Sequence, residues 1–412
     1  MNKGNPQLGL VLMLAALAAI GPFTIDAYLP AFPEMGTELA ADKGAMQETL
    51  SFYMLTFALM TLWHGAFSDS FGRKRVILVG LGVYALASVG CALATSIEML
   101  WAMRAVQGLS AGAGMVVSRA MVRDLYEGPG AQRLMAKIAI MFAVAPAVAP
   151  IIGGWILRLA GWRAIFVFLA LASAGLCLIC WRKLPESLPP EKRQPFAVRV
   201  LFQGYESIFS NTRFLLLSIG IGAFFGGFFV YVLSSPVFIR EHLGLNETQF
   251  HWLFVPCMAG MMIGSWISGR IAGRWDDRRT LRLAFALMGV GALLNLAVSG
   301  FWPSSLPLAV LPFIFYNMGV AIAIPNVTLM VLDMFPQIRG MAASCQSCVQ
   351  TIFNAFLASL IVPVLWHSRI DLACGMAGLA MLGALVVFGC LNANVRPLLR
   401  NWATFILSLW RK

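Results

Sequence analysis

The sequence predicts an all-α membrane protein in which twelve transmembrane helices form two pseudo-symmetric six-helix bundles. Three observations carry that prediction. The 412 residues are 59% hydrophobic and only 12% charged, with a mean hydropathy of +0.79, well above the composition of a soluble domain. Apolar runs long enough to supply the ~20 residues that cross ~30 Å of hydrocarbon recur along the chain. The second half also repeats the first at an offset of about 204 residues. Gly and Pro interrupt the runs without period-two alternation, which favours helices over a barrel.

The runs fall in order. The first, 8–29, contains a lone carboxylate, Asp26, and closes with Pro30-Ala31-Phe32-Pro33. It is too long and too polar at its end for a cleaved signal, and no small-residue cleavage site follows, so it is expected to be a mature span. Runs 46–68, 76–95, 98–121, 134–157 and 163–182 complete the first bundle, 1–182. The hydrophilic stretch 183–211, with Pro185, Pro189, Pro190 and Pro195, reads as a linker, and its Phe/Val-rich part at 196–209 as a surface amphipathic helix. Runs 213–238, 248–271, 281–301, 306–331, 340–366 and 371–393 form the second bundle, 213–394, after a linker of 183–212. In the tail, 395–412, Trp402, Phe405, Ile406 and Leu409 follow helical spacing between Arg400 and Arg411, too short to span.

The net charge of +12 is explained by topology. Arg73, Lys74, Arg75, Arg123, Arg133, Lys137, Arg182, Lys183, Lys192, Arg193, Arg199, Arg213, Arg274, Arg278, Arg279, Arg282, Arg396, Arg400, Arg411 and Lys412 fall on one side of the span map. The other side holds Lys43, Arg158, Arg163, Arg240 and Arg369. Positive charge collects on the cytoplasmic side, which places both termini there and removes any need for a nucleic acid. The eight cysteines, including Cys177/Cys180 and Cys345/Cys348, lie in predicted spans without nearby His ligands. Helix packing accounts for them better than a metal or disulfide.

Asp26 is the leading functional residue. A charge near mid-membrane costs ~2.5–3.5 kcal/mol on insertion scales, so such residues face a cavity or a partner. A carboxylate there can gain and lose a proton under ordinary conditions. Arg104, in the fourth run, lies at a depth within ~3 Å of Asp26 at 1.5 Å rise per residue. Burial favours the neutral acid and a nearby cation favours the charged one; the sequence leaves the balance open, and a permanent buried ion pair is the alternative reading. Glu34, just outside the first run, is a second proton candidate.

Other polar and aromatic residues suggest cargo contacts. Gln346, Gln350 and Asn354 form an i, i+4, i+8 stripe that lipid would penalise; a cavity or interhelical hydrogen bonds would satisfy it equally. Tyr28, Tyr53, Phe57, Phe224, Phe228, Tyr231, Tyr316 and Asn317 are further candidates, although aromatic residues face lipid as often as pockets. His64 reads as structural.

The repeat aligns Gly65-Ala-Phe-Ser-Asp-Ser-Phe-Gly-Arg-Lys-Arg75 with Gly269-Arg-Ile-Ala-Gly-Arg-Trp-Asp-Asp-Arg-Arg279, Gly273 replacing Asp69. Parallel six-helix repeats suit a rocking, alternating-access carrier. The loop Gly65-x-x-Ser68-Asp69-x-x-Gly72-Arg73-Lys74-Arg75 resembles the signature loop of the major facilitator superfamily. In physical terms, Gly65 permits close helix contact, Gly72 a tight turn, and Asp69 can pair with a cation or a helix N-terminus across the cytoplasmic seam, latching one conformation. Arg104-Ala-Val-Gln107-Gly108-x-x-Ala-Gly112 resembles the same family's fourth-helix motif, which implies that Arg104 and Asp26 sit on neighbouring helices. Pro146-Ala-Val-Ala-Pro150-Ile-Ile-Gly153-Gly154 resembles its antiporter motif, with Ala149 where Gly is usual. The prolines kink the helix and the glycines permit close packing on the opposite half.

Thr24-Ile-Asp26-Ala-Tyr28-Leu29-Pro30-Ala-Phe-Pro33, Ser118-Arg119-Ala-Met-Val-Arg123-Asp124-Leu-Tyr126 and Phe335-Pro336-x-x-x-Gly340-x-Ala-Ala-Ser344 are similar to the bicyclomycin/chloramphenicol-resistance (Bcr/CflA) subfamily of drug:proton antiporters. The resemblance covers nearly the whole chain. It implies the major facilitator fold, a bacterial inner-membrane location, a monomer, and export of small, largely apolar compounds driven by the proton gradient with no cofactor. It makes Asp26 the membrane carboxylate and Arg104 the fourth-helix arginine. Two other readings stand beside export: transport of a nucleobase-like or amino-acid-derived metabolite, and a receptor or scaffold without turnover. No nucleotide loop, metal-spaced cluster or nucleophile–base set points to an enzyme.

Overall fold

The computed structural model describes residues 8–126, 128–193, 196–302 and 306–391, and among them every regular element is a helix. The long helices are α1 (Leu8–Ala27), α2 (Lys43–Phe71), α3 (Arg73–Ala92), α4 (Ile97–Leu125), α5 (Gly128–Ala160), α6 (Trp162–Lys183), α7 (Thr212–Leu233), α8 (His251–Ile271), α9 (Asp277–Phe301), α10 (Pro312–Asp333), α11 (Arg339–Phe356) and α12 (Arg369–Leu391). A 3₁₀ turn at Leu29–Ala31 joins α1 to a short helix, Phe32–Glu38, and a π-turn at Leu357–Ile361 joins α11 to Val362–Leu365. The hydropathic tail beyond 391 lies outside the described residues.

Among the described residues, ten helices are long and apolar enough to cross a membrane, where the sequence leads one to expect twelve spans. The difference lies in α4 and α5. Helix α4 carries Glu98, Arg104, Arg119, Arg123 and Asp124, and α5 enters that count only through Val144–Ala160, the continuous stretch of it whose side chains are described.

Local chemistry sets the boundaries. The Asp42 carboxylate accepts from Ala45 N–H at 2.7 Å and starts α2 three residues before the apolar run. Asn211 caps α7 through Phe214 N–H at 3.1 Å. Gly72 separates α2 from α3 at φ +96°, ψ 148°, a region open essentially to Gly. A Cβ there would also meet Glu186 Oε2 at 2.6 Å and Arg193 Nη2 at 2.9 Å. Gly72→Ala is therefore expected to cost about 1–3 kcal/mol, read as a lower unfolding temperature of the purified protein. Gly65 is different: a Cβ there would only touch Val116 at 4.0 Å, so the tight contact expected at that glycine is absent.

Neighbour pairs repeat between halves. Helices α2·α4, α3·α4, α3·α6 and α1·α5 pack together, as do α8·α10, α9·α10, α9·α12 and α7·α11. The seams between halves are α2·α11 and α5·α8, which exchange when six is added to each number. Backbones approach through glycine: Gly260 lies on Ile314, Gly264 on Met318 and Gly319 on Ala284, the packing by small residues expected in lipid. Leu86, Leu159, Leu171, Leu293, Val364 and Leu385 are exposed, forming surface that suits hydrocarbon rather than water.

The linker forms the expected helix, Val198–Phe209, docked on the bundle. Tyr205 O–H donates to the Leu62 carbonyl at 2.7 Å, and burial pushes its phenol up to about 12, so it remains a donor. Phe202 packs edge-on against Trp63.

Candidate functional site

A buried polar cluster sits where α1, α2, α3 and α4 meet. Arg104 is 0% exposed, with its guanidinium carbon 4.3 Å from the Tyr28 ring centre and 4.4 Å from that of Tyr53. Two desolvated aromatic faces stabilise a cation by ~2 kcal/mol or more each. Arg104 Nη1 donates to Gln107 Oε1 at 2.8 Å, and Gln107 Nε2 donates to Ser88 Oγ at 2.7 Å. Each tyrosine is anchored in turn: Tyr28 Oη shares a 2.8 Å hydrogen bond with Thr49 Oγ1, and Tyr53 O–H donates to the Gly21 carbonyl at 3.0 Å. Tyr84 shares one of 2.5 Å with Thr24. Small residues let these helices close up, since a Cβ on Gly114 would reach the Leu17 carbonyl at 2.5 Å.

Asp26 is 3% exposed, so its side chain lies inside the protein rather than against acyl chains. Its Oδ1 is buried with no hydrogen-bond partner. Arg104 Nε and Nη2 are likewise buried and unpartnered. No carboxylate oxygen among the described residues lies within the 4.0 Å ion-pair distance of Arg104. The permanent Asp26–Arg104 ion pair that the sequence left open is absent; tyrosine rings and Gln107 hold the cation instead. Leaving an unpaired charge buried costs several kcal/mol, so this arrangement keeps both groups available for new partners. Glu34 lies elsewhere. It is exposed, and its carboxylate accepts from Trp162 N–H at 3.4 Å, at the start of α6.

The two ends of the molecule differ. At the end bearing the α1–α2 connection, Lys43 Nζ pairs with Glu241 at 2.7 Å across the halves. There Ser359 O–H, in the π-turn after α11, also donates to the Glu48 carboxylate. Gly153 and Gly154 play separate parts. A methyl on Gly153 would run into the Ala27 carbonyl of α1, in the same half, and one on Gly154 into the Glu247 carbonyl, in the other. Only Gly154 thus makes the contact with the opposite half expected of the pair, because adjacent helical residues point ~100° apart. Pro146 and Pro150 lie inside α5, as expected.

At the linker end, Arg73 ties the signature loop together. Its Nη1 lies 2.5 Å from Asp69 and donates to Ser68 Oγ at 2.6 Å, and its Nε lies 3.0 Å from Asp124 Oδ2. Glu186 accepts from the backbone N–H groups of Arg73 at 3.0 Å and Lys74 at 3.3 Å, so the linker caps α3. Arg75 is exposed. A cavity of about 320 Å³ opens here among α2, α4, the linker helix and α11.

The cargo candidates divide. Tyr28, Tyr53 and Phe57 surround the Arg104 network, with Phe57 stacked on Tyr53 at 6.1 Å. Those in the second half are mostly packing residues in this conformation. Phe224 meets Phe285 edge-on, and its carbonyl accepts from Tyr316 O–H at 2.8 Å. Phe228 packs edge-on against Phe225, and Tyr231 accepts from Asn295 at 2.6 Å. Gln346 donates to Thr328 at 2.9 Å, and Gln350 is half-buried. Gln346 Oε1, Asn317 Oδ1 and Asn354 Oδ1 remain buried and unpartnered. Tyr84 and Glu48 escaped the sequence reading, and Gln107 entered it only as part of the fourth-helix motif. Its i, i+3 spacing from Arg104 was the available signal that the two side chains meet.

Comparison with known proteins places this geometry. Residues 12–358 match the model of the Major Facilitator Superfamily. The chain is 30% identical over 387 residues to Multidrug resistance protein D of Escherichia coli K12, covering 92% of this chain and 95% of that one. It is 29% identical over 395 residues to a Bicyclomycin resistance protein homolog of Haemophilus influenzae, covering 95% and 96%. The crystal structure of a D-xylose-proton symporter shares the fold at a TM-score of 0.70 and 15% identity, over 91% of this chain and 96% of that one. With its repeated helix pairs, its signature loop folded around Arg73 and a matched family model running through both halves, the chain belongs to the major facilitator superfamily of membrane transporters.

Proposed function

We propose that this protein is a proton-driven exporter of small, largely apolar compounds that works by alternating access. The observation that carries this reading is a buried carboxylate, Asp26, whose Oδ1 has no partner, beside a helix carrying a buried cation, Arg104, with two nitrogens free. The names of the multidrug and bicyclomycin resistance relatives support a drug-like cargo. Helices α4 and α5 complete twelve spans, in bundles 1–182 and 213–394 joined by the linker 183–212. The linker end, rich in Arg and Lys, faces the cytoplasm of a bacterial inner membrane, with the tail 395–412 on that side and the monomer as the working unit.

In this reading the cycle starts with the end bearing Lys43 and Glu241 fastened and a proton on Asp26. Cargo entering from the cytoplasm displaces that proton and engages the free nitrogens of Arg104 or the rings of Tyr28 and Tyr53. The loaded carrier then opens outward, where a fresh proton on Asp26 weakens its hold on cargo or cation and favours release. Asp69 and Arg73, both of the first half, brace the signature loop at the cytoplasmic end, and Gly154 seals the opposite end against Glu247 of the other half. One proton crossing 100 mV supplies ~2.3 kcal/mol, which at ~1.4 kcal/mol per decade sustains roughly a 40-fold gradient.

Purified protein in liposomes should accumulate radiolabelled chloramphenicol or bicyclomycin under an imposed pH gradient and show saturable counterflow without one. Binding with no counterflow would identify a scaffold, and flux of purines or amino-acid analogues in preference to both drugs would shift the cargo class.

A further inference from the structure

We infer that the cavity at the linker end is a binding site for a phosphate-bearing anion. Its volume is about 320 Å³, and Arg119 and Arg123 of α4 line it one helical turn apart. Neither guanidinium has an acceptor among the described residues, and the two nearby carboxylates are taken, since Asp69 and Asp124 both bind Arg73. Like charges at i, i+4 repel, and among the described residues no acceptor compensates them.

The facing wall also suits an anion. Gly340 and Met341, in the first turn of α11, line the cavity, and the N-cap residue Ile338 offers no capping side chain. A Cβ on Gly340 would meet nothing within 4 Å, so the space above that turn is open. Free N–H groups at a helix start favour negative charge, and guanidinium groups favour phosphate through paired donors. Ser344 and Ser347 add hydroxyl groups to the same wall.

Next in sequence to the lining residues Leu62, Ala66 and Leu201 stand the rings of Trp63, Phe67 and Phe202. Phe196 stacks on Phe67 at 5.3 Å, and Phe202, 56% exposed, packs against Trp63. A phosphate carried by a lipid could thus set its head among the arginines and its chains along these rings. A soluble phosphate would use the head site alone. Because α2, α4 and α11 all border the cavity, its occupant bridges the two halves and opposes their separation at this end.

The test uses the full chain in nanodiscs containing equal phosphatidylcholine and phosphatidylglycerol, with retained lipid counted by native mass spectrometry. A parallel titration follows tryptophan fluorescence against inorganic phosphate, with chloride as the control. The wild type is expected to retain phosphatidylglycerol over phosphatidylcholine at least tenfold, and R119Q/R123Q to lose that preference, whereas R119K/R123K keeps most of it. A lipid preference without a phosphate response assigns the site to a headgroup; a saturable phosphate response without lipid preference assigns it to a soluble anion. Equal retention of both lipids with no phosphate response overturns the proposal. So does a preference or response that survives intact in R119Q/R123Q.

Discussion

Replacing Asp26 with Asn is expected to abolish pH-gradient-driven accumulation while cargo counterflow persists. Asparagine keeps the shape of the protonated acid, so a residue 3% exposed can be exchanged without opening a void. What disappears is the exchangeable proton. The roughly 40-fold gradient that one proton sustains at 100 mV should therefore collapse to equilibration. Arg104 stays in place in this variant, because Tyr28, Tyr53 and Gln107 hold it without help from Asp26. Liposome accumulation with and without a gradient reads the two properties separately. Gradient-driven accumulation at wild-type level in Asp26→Asn would contradict the assignment.

Gly153→Ala is expected to lower both stability and turnover, the latter at least tenfold. The added methyl would collide with the Ala27 carbonyl, one residue beyond Asp26, so α5 must move off α1 or distort it. Overpacking of this kind costs about 1–3 kcal/mol and at times more. Gly175→Ala in α6 is the matched control. Nothing lies within 4 Å of a Cβ there, and the better helix former should leave stability level or raise it by up to ~1 kcal/mol. Gly154→Ala should behave in a third way, because its collision lies with Glu247 across the seam. There the folded halves survive and the closed conformation is disfavoured. Thermal unfolding and counterflow distinguish all three; wild-type values in Gly153→Ala would show that the α1·α5 contact has more slack than its geometry allows.

Hydropathy made most helices legible, since lipid penalises interruptions in a span and the chain carries few. It located ends less well. Asp42 begins α2 at Lys43 because a side-chain cap, not an apolar residue, starts a helix. Helix α4 shows where the principle strains: the residues that make it polar, Arg104, Arg119 and Arg123, are those for which we propose a role. Asp26 stood out for the same reason, as a charge where charge is costly. Its relation to Arg104 did not. Equal depth along two helices brings them to one level, but the choice of partner belongs to Tyr28 and Tyr53, whose rings carry no charge signal in a sequence. The roles of Gly153 and Gly154 were likewise merged until their neighbours were known.

The central claim is that cargo and proton compete through Asp26, and proton release on cargo binding tests it most directly. Purified protein in weakly buffered detergent, near the pH at which half the carriers are protonated, is mixed with saturating chloramphenicol while a pH-indicator dye is followed. The account predicts release of up to one proton per protein in the wild type and none in Asp26→Asn. Equal release from both proteins, or cargo binding by the wild type with no release at any pH, would contradict it.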